Sequence, residues 1–198
     1  IKKQLYGKAY LVRFADDFLI MFQYERDAQR VYEAIIKRME LFGLELSKEK
    51  TRILPFGRYS VSRETFDFLG FTHFNSKTRK GYYTVGHKKR RKKKKQFKSN
   101  LKKWVKENRN TQFDEFMKTL NKKLTGSVNY YSLSGMIKEV RNLWIHSLYV
   151  TFKWLNRRSQ RKSFKLEKFY EIWNDRIIRP YIHVDIWSGD KVIYNMNV

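Results

Sequence analysis

Along the first 86 residues apolar and polar positions alternate in short runs, broken once by a helical repeat; beyond residue 87 the helical repeat takes over. Leu11 to Phe14 and Phe18 to Phe22 are β-prone runs on either side of Asp16-Asp17, the pattern of a hairpin with an acidic turn. Val12 and Phe14 on one arm and Phe18, Ile20 and Phe22 on the other alternate as one buried face would. From Glu25 to Phe42, the residues Ala28, Val31, Tyr32, Ile35, Met39 and Phe42 recur at three- and four-residue spacing, which predicts an amphipathic helix stopped by Gly43. Such a helix covers one sheet face. Leu44 to Leu54, ended by Pro55, reads as strand-turn-strand. Phe66 to Phe71 and Gly81 to Val85 read as further strands, with Gly70 marking a bulge or a close backbone approach.

The second half predicts helices. Phe97, Leu101, Trp104 and Val105 are helix-spaced behind a cationic start. Thr111-Gln112-Phe113-Asp114 has the spacing of a capping box, followed by the stripe Phe113, Phe116, Met117, Leu120 and Leu124 and a stop at Gly126. Met136, Val140, Leu143, Leu148, Phe152 and Leu155 form a longer stripe, and Leu166 to Trp173 a last short helix. Tyr130, Tyr131, Trp144, Tyr149 and Trp154 lie at helical spacing too, which favours core packing for most of them. Arg179-Pro180 opens an extended tail. The fold class is therefore α+β: antiparallel hairpins with a covering helix in residues 1–86, a helical domain in 87–175, and a tail in 176–198.

Charge sharpens this division. The net charge is +25, with 16 Lys and Arg against 10 Asp and Glu in residues 1–86, and 28 against 9 from there on. A domain so cationic repels itself unless it meets a polyanion, so nucleic acid is the leading partner class. No apolar run approaches the roughly 18 residues of a membrane span, and no face pairs Lys with Trp as a membrane-surface helix does. Cysteine is absent, so there is neither a disulfide framework nor a Cys-based zinc site. The start at Ile1, in mid-pattern, reads as the continuation of a longer protein.

Two stretches carry candidate chemistry. Aspartates are common in solvated turns, yet paired carboxylates on rigid strands also suit Mg²⁺, which prefers such oxygens and can activate a hydroxyl and shield phosphate. Lys88, Lys89, Arg90, Arg91, Lys92, Lys93, Lys94 and Lys95 are eight consecutive cations; the bland reading is a solvated arm, the functional one a sequence-blind grip on phosphates. Arg157, Arg158, Arg161 and Lys162 form a second cluster at a helix end, where guanidinium forks match phosphate.

Read in order, five strings resemble the C-terminal half of a group II intron-encoded reverse transcriptase, or maturase. They are Tyr10 to Phe18, Gly43 to Thr51, Phe66 to Phe71, Leu120 to Gly126 with Asn129-Tyr130-Tyr131, and Lys153 to Gln160. The resemblance implies a partial palm in residues 1–86 and a helical thumb, or maturase domain X, in the next block. It implies that Asp16 and Asp17 are the paired palm aspartates, binding Mg²⁺ for two-metal catalysis, with Phe14 where Tyr is frequent. Lys50 then lies near the departing pyrophosphate, and Phe66 to Phe71 form the primer grip, centred on Phe68, Leu69 and Gly70.

The implied activity is RNA-directed DNA polymerisation with intron splicing. The implied partners are RNA template, RNA/DNA duplex, group II intron RNA, dNTPs and a fingers-and-palm portion, in a bacterial cytoplasm or an organellar matrix or stroma. The family's fingers and third catalytic aspartate match nothing here, so the chain alone is expected to be inactive. Nor do His73, His87, His146 and His183 cluster as the family's optional nuclease would require. The alternative from another class is a non-catalytic RNA-binding splicing cofactor that keeps the palm as scaffold.

Overall fold

A computed structural model describes residues 5–47, 49–158, 161 and 163–181. The chain divides into two compact units, 1–86 and 87–198.

In the first unit, β1 (Ala9–Phe14) and β2 (Asp17–Phe22) form a two-stranded antiparallel sheet. The connection is two residues, Ala15 and Asp16, so Phe14 pairs with Asp17 and Val12 with Leu19. This splits the single buried face expected from alternation. Val12 and Phe14 share a face with Leu19 and Met21, while Phe18, Ile20 and Phe22 lie opposite with Leu11 and Ala9. The expected set needs an odd-numbered loop, and one residue of register moves every side chain across the sheet. Both faces keep exposed apolar groups: Tyr10, Leu11, Phe14, Phe18 and Met21.

Helix α1 (Glu25–Leu41) follows, with Phe42 at its C-cap and Gly43 at φ +66 just beyond, the left-handed stop that glycine permits. It packs on β2 through Ala28 and Val31. Its first turn is tied down by Asp27, 1% exposed, whose carboxylate accepts from the backbone N–H groups of Tyr6 (3.1 Å) and Gly7 (3.0 Å). Arg26 stacks 3.6 Å from the Tyr6 ring centre on the other side of the same segment.

The next stretch departs from expectation. Leu44 to Leu54 contains no strand among its described residues: the N–H groups of Lys50 and Thr51 both donate to Ser47 O, closing a turn. A strand exists only against a partner edge, and Arg52 instead donates its guanidinium to Thr65 O. A three-stranded sheet then forms from β3 (Thr65–Phe68), β4 (Phe71–Lys77) and β5 (Tyr83–Lys89), in that order. Gly70 is no bulge. Leu69 (φ +49) and Gly70 (φ +81) are the two residues of a tight hairpin turn, both in the left-handed region that a type I′ turn requires.

The second unit is helical: α2 (Arg91–Asn108), α3 (Phe113–Tyr131), α4 (Ile137–Leu155) and α5 (Leu166–Arg176). The predicted stripes supply its core. Leu101, Val105, Phe116, Met117, Leu120, Leu124, Leu148 and Leu155 are buried, and α5 returns Phe169 and Trp173 into the same cluster. Asparagines lock that return. Asn156 both accepts from Phe164 N–H (2.8 Å) and donates to Phe164 O (3.0 Å), and Asn121 accepts from Ile178 N–H (2.8 Å).

Three expectations shift here. The cationic run does not start a helix at residue 88, because β5 runs through Lys89 and α2 begins at Arg91. Gln112, not Thr111, is the N-cap of α3, and no side-chain bond caps it. Gly126 does not stop α3, which continues to Tyr131, since the apolar side chains of Leu124 and Val128 keep the helix packed across it. Of the tail, only the residues up to 181 are described.

Candidate catalytic turn and nucleic-acid interface

The acidic turn is built by backbone geometry. Ala15 sits at φ +50, a conformation that disfavours any side chain by about 1 kcal/mol or more. Positive φ at the first of two loop residues matches the twist of the flanking strands, and Arg13 Nε donates to Ala15 O at 3.0 Å across the loop. Asp16 therefore occupies the second loop position and Asp17 opens β2, both exposed. Only one of the expected pair lies in the turn proper. The two carboxylates are neighbours on a fixed ribbon, a donor set that fits a hard cation retaining water and phosphate oxygens. Among the described residues no group of three or more potential ligands is gathered.

Lys50 is exposed in the turn closed by Ser47. Phe68, Leu69 and Gly70 form the tip of the β3–β4 hairpin, braced by Asp67, which accepts from Thr72 Oγ1 at 2.5 Å across the ladder. His73 stacks on Phe66, with ring centres 4.8 Å apart.

In the helical unit the eight-cation run is not uniform. Lys88 and Arg90 to Lys93 are exposed, as is Lys95. Lys89 is 5% exposed. Its ammonium lies 3.8 Å from the ring centre of Tyr131 and 4.6 Å from that of Phe97, while the Lys89 backbone N–H donates to Glu139 Oε2 at 2.8 Å. Burial pulls its pKa down to about 8; Glu139 opposes the shift and Lys94 adds to it. Lys94 is held at 2.7 Å by the other Glu139 oxygen. These two cations brace the β5–α2 junction to α4, whereas their neighbours face solvent. Glu139 was not singled out from the sequence; its position 45 residues beyond Lys94 hides the pairing.

At the far end of the helices, Arg157 approaches the Trp154 ring centre to 5.4 Å, beside Lys106 (5.7 Å) and Arg109 (5.6 Å). Arg158 Nε donates to Leu155 O, at the negative end of the α4 dipole. Arg161 is exposed, and Lys162 lies outside the described residues. Expected core aromatics also divide: Trp144 is buried, while Tyr130 and Tyr149 are each 53% exposed. Lys123, Gln96 and Asn100, none of them expected as contacts, join Lys93 and Tyr130 around a cleft between α2 and α3 of about 430 Å³. Only helix packing brings them together, so no sequence spacing announces them. Burial lowers the pKa of His87 and of His146, the latter also through Lys98.

Residues 1–73 match the family model of reverse transcriptase (RNA-dependent DNA polymerase), and residues 93–171 match that of the group II intron maturase-specific domain. No curated protein matches the chain. Among the described residues no helix is long and apolar enough to cross a membrane.

Proposed function

The chain belongs to the group II intron reverse transcriptases and maturases, a partial palm followed by a helical maturase domain, and from that premise we propose that it contributes to RNA-directed DNA synthesis and to binding of intron RNA. Residues 1–86 are the palm part, 87–175 the thumb, and 176–198 a tail. The observation that carries the reading is the adjacent pair Asp16 and Asp17, exposed at the tip of a hairpin whose register fixes their backbone positions.

Asp16 and Asp17 would hold Mg²⁺, which when bound lowers the barrier to attack by a primer 3′-hydroxyl on a nucleotide α-phosphate. The chain's own residues have simpler tasks. Arg13, donating to Ala15 O, and Ala15 at φ +50 hold the turn that carries the carboxylates. Lys50 offers a mobile cation for the pyrophosphate that leaves. The Phe68–Leu69–Gly70 tip supports the primer strand. Exposed cations of α2 and of the α4 end meet phosphate without reading sequence. dNTPs, RNA template and the RNA/DNA duplex are the proposed ligands, with a fingers-and-palm portion against the exposed hairpin faces. The proposed setting is a bacterial cytoplasm or an organellar matrix or stroma.

Primer extension on poly(rA)/oligo(dT) with Mg²⁺ tests this directly. The 198-residue chain alone is expected to give no extension, since the family's third catalytic aspartate matches nothing in it, yet to bind RNA with an affinity that falls steeply as salt rises. Extension by the chain alone would refute the assignment of an incomplete metal site. The second reading is a non-catalytic splicing cofactor that keeps the palm as scaffold. That reading gains if the protein with its complete palm promotes splicing but extends no primer.

A further inference from the structure

The cleft between α2 and α3 is a site of its own. One face of α2 presents Lys93, Gln96, Phe97 and Asn100, at intervals of three and four residues, and one face of α3 presents Lys123, Gly126 and Tyr130 at the same rhythm. The chemistry is mixed in a specific way: flat rings, two amides and two exposed lysines line an open cleft of about 430 Å³, the Lys123 ammonium lying 5.2 Å over the neighbouring Trp104 ring.

Gly126 is the telling residue. A glycine in the middle of a helix disfavours it relative to alanine, and such a glycine ordinarily marks close packing or a function. Packing is not the reason here, because a Cβ built on Gly126 meets nothing within 4 Å. Its φ is not in the left-handed region either. What the missing side chain does is leave the cleft open.

We propose that this cleft holds a single unstacked RNA nucleotide, its base stacked on the exposed Tyr130 ring and its phosphates met by Lys93 and Lys123. Base–aromatic stacking tolerates any base, while the side-chain amides of Gln96 and Asn100 offer both donors and acceptors to a base edge. Such recognition takes nucleotides splayed from loops, bulges or single strands, the parts of a folded RNA that proteins read. A volume of about 430 Å³ is enough for one nucleotide. The inference rests on the reading that the helical unit binds RNA, and it adds where in that unit an unpaired base goes. The buried Lys89 also lines the cleft, its ammonium held against the Tyr131 and Phe97 rings.

The full 198-residue chain is titrated by fluorescence anisotropy with a labelled single-stranded oligoribonucleotide and with a blunt RNA duplex of equal length. Gly126→Phe fills the cleft from an open Cβ position, and Tyr130→Ala removes the stacking platform from a half-exposed site, so at least one of them retains the native circular dichroism and melting profile. Each is expected to weaken single-strand binding by about tenfold or more, the effect of losing one stacked base, and to leave duplex binding within about twofold. Wild-type binding of both RNAs with single-strand affinity unchanged in the folded variants overturns the cleft proposal while sparing the RNA-binding reading. No RNA binding by the wild type overturns both. Saturable binding of free AMP that Gly126→Phe abolishes, with oligonucleotide affinity unchanged, reassigns the cleft to a free nucleotide and overturns the proposal as stated.

Discussion

The two units draw their order from different sources. The helical unit rests on a close-packed core in which Val105, Leu120, Leu155, Phe169 and Trp173 are fully buried, with ring pairs such as Trp104–Phe116 stacked at 5.0 Å. The hairpin unit buries only Ala28 and Val31 among its described apolar residues. Its shape comes instead from turns, from ladders and from one buried carboxylate. The proposed metal-binding carboxylates thus stand where few apolar residues are buried. Burial of apolar surface is forgiving about the positions of individual atoms, whereas a two-residue turn places its side chains within narrow limits. The β1–β2 ribbon leaves Tyr10, Leu11, Phe14, Phe18 and Met21 exposed, and a two-stranded hairpin is marginal on its own.

This contrast can be broken or sharpened by mutation. The largest effect concerns chemistry. In a protein that includes the whole palm, Asp16→Ala lowers primer extension by about a thousandfold or more, the scale of losing a metal ligand, and changes RNA affinity less than twofold; equal loss of both activities would show that the division of labour is wrong. Next comes the core. Trp173→Ala, at a site with no exposed surface, lowers the stability of the helical unit by about 3–5 kcal/mol, read by scanning calorimetry. Asp27→Ala leaves the Tyr6 and Gly7 N–H groups without their acceptor and destabilises the hairpin unit by about 2–3 kcal/mol. A negligible effect of Asp27→Ala would mean that packing, not this carboxylate, orders the ribbon.

The smaller effects are finer probes. Lys89 has a folded pKa of about 8, below its ordinary value of 10.5. Between these values the unfolded chain binds more protons than the folded one, so stability rises with pH across that window. The penalty of burying the charge is complete below pH 8 and is relieved above it. Measured by urea melts from pH 8 to 9.5, the wild type should gain roughly 1–2 kcal/mol relative to Lys89→Met. Parallel pH profiles would mean that the ammonium is solvated. Last, Leu69→Gly relieves the φ of +49 and shifts stability by no more than about 1 kcal/mol in either direction, while Gly70→Val at φ +81 is clearly destabilising.

Much of this molecule is legible in its residues. The apolar stripes of α1, α3 and α4 follow their 3.6-residue period closely because a helix carries its own hydrogen bonds and needs only one face buried. Gly43 stopping α1 and the acidic pair at a hairpin tip are local events, settled by neighbours in the chain. Asp16, Asp17 and the exposed cations are candidates for the same reason: residue type and adjacency single them out. Strand register could not, because Val12 changes face with a single residue of loop, and alternation is equally satisfied either way. Leu44 to Leu54 looked like strands because β-propensity describes a fit to neighbours that this segment does not have. Lys89 and Lys94 were indistinguishable from the other cations until Glu139 came alongside, and Gly126 until α2 packed beside α3. Periodicity and adjacency are properties of the chain; burial, ion pairing and the opening of a cleft depend on residues far away in it, and only the tertiary structure decides them.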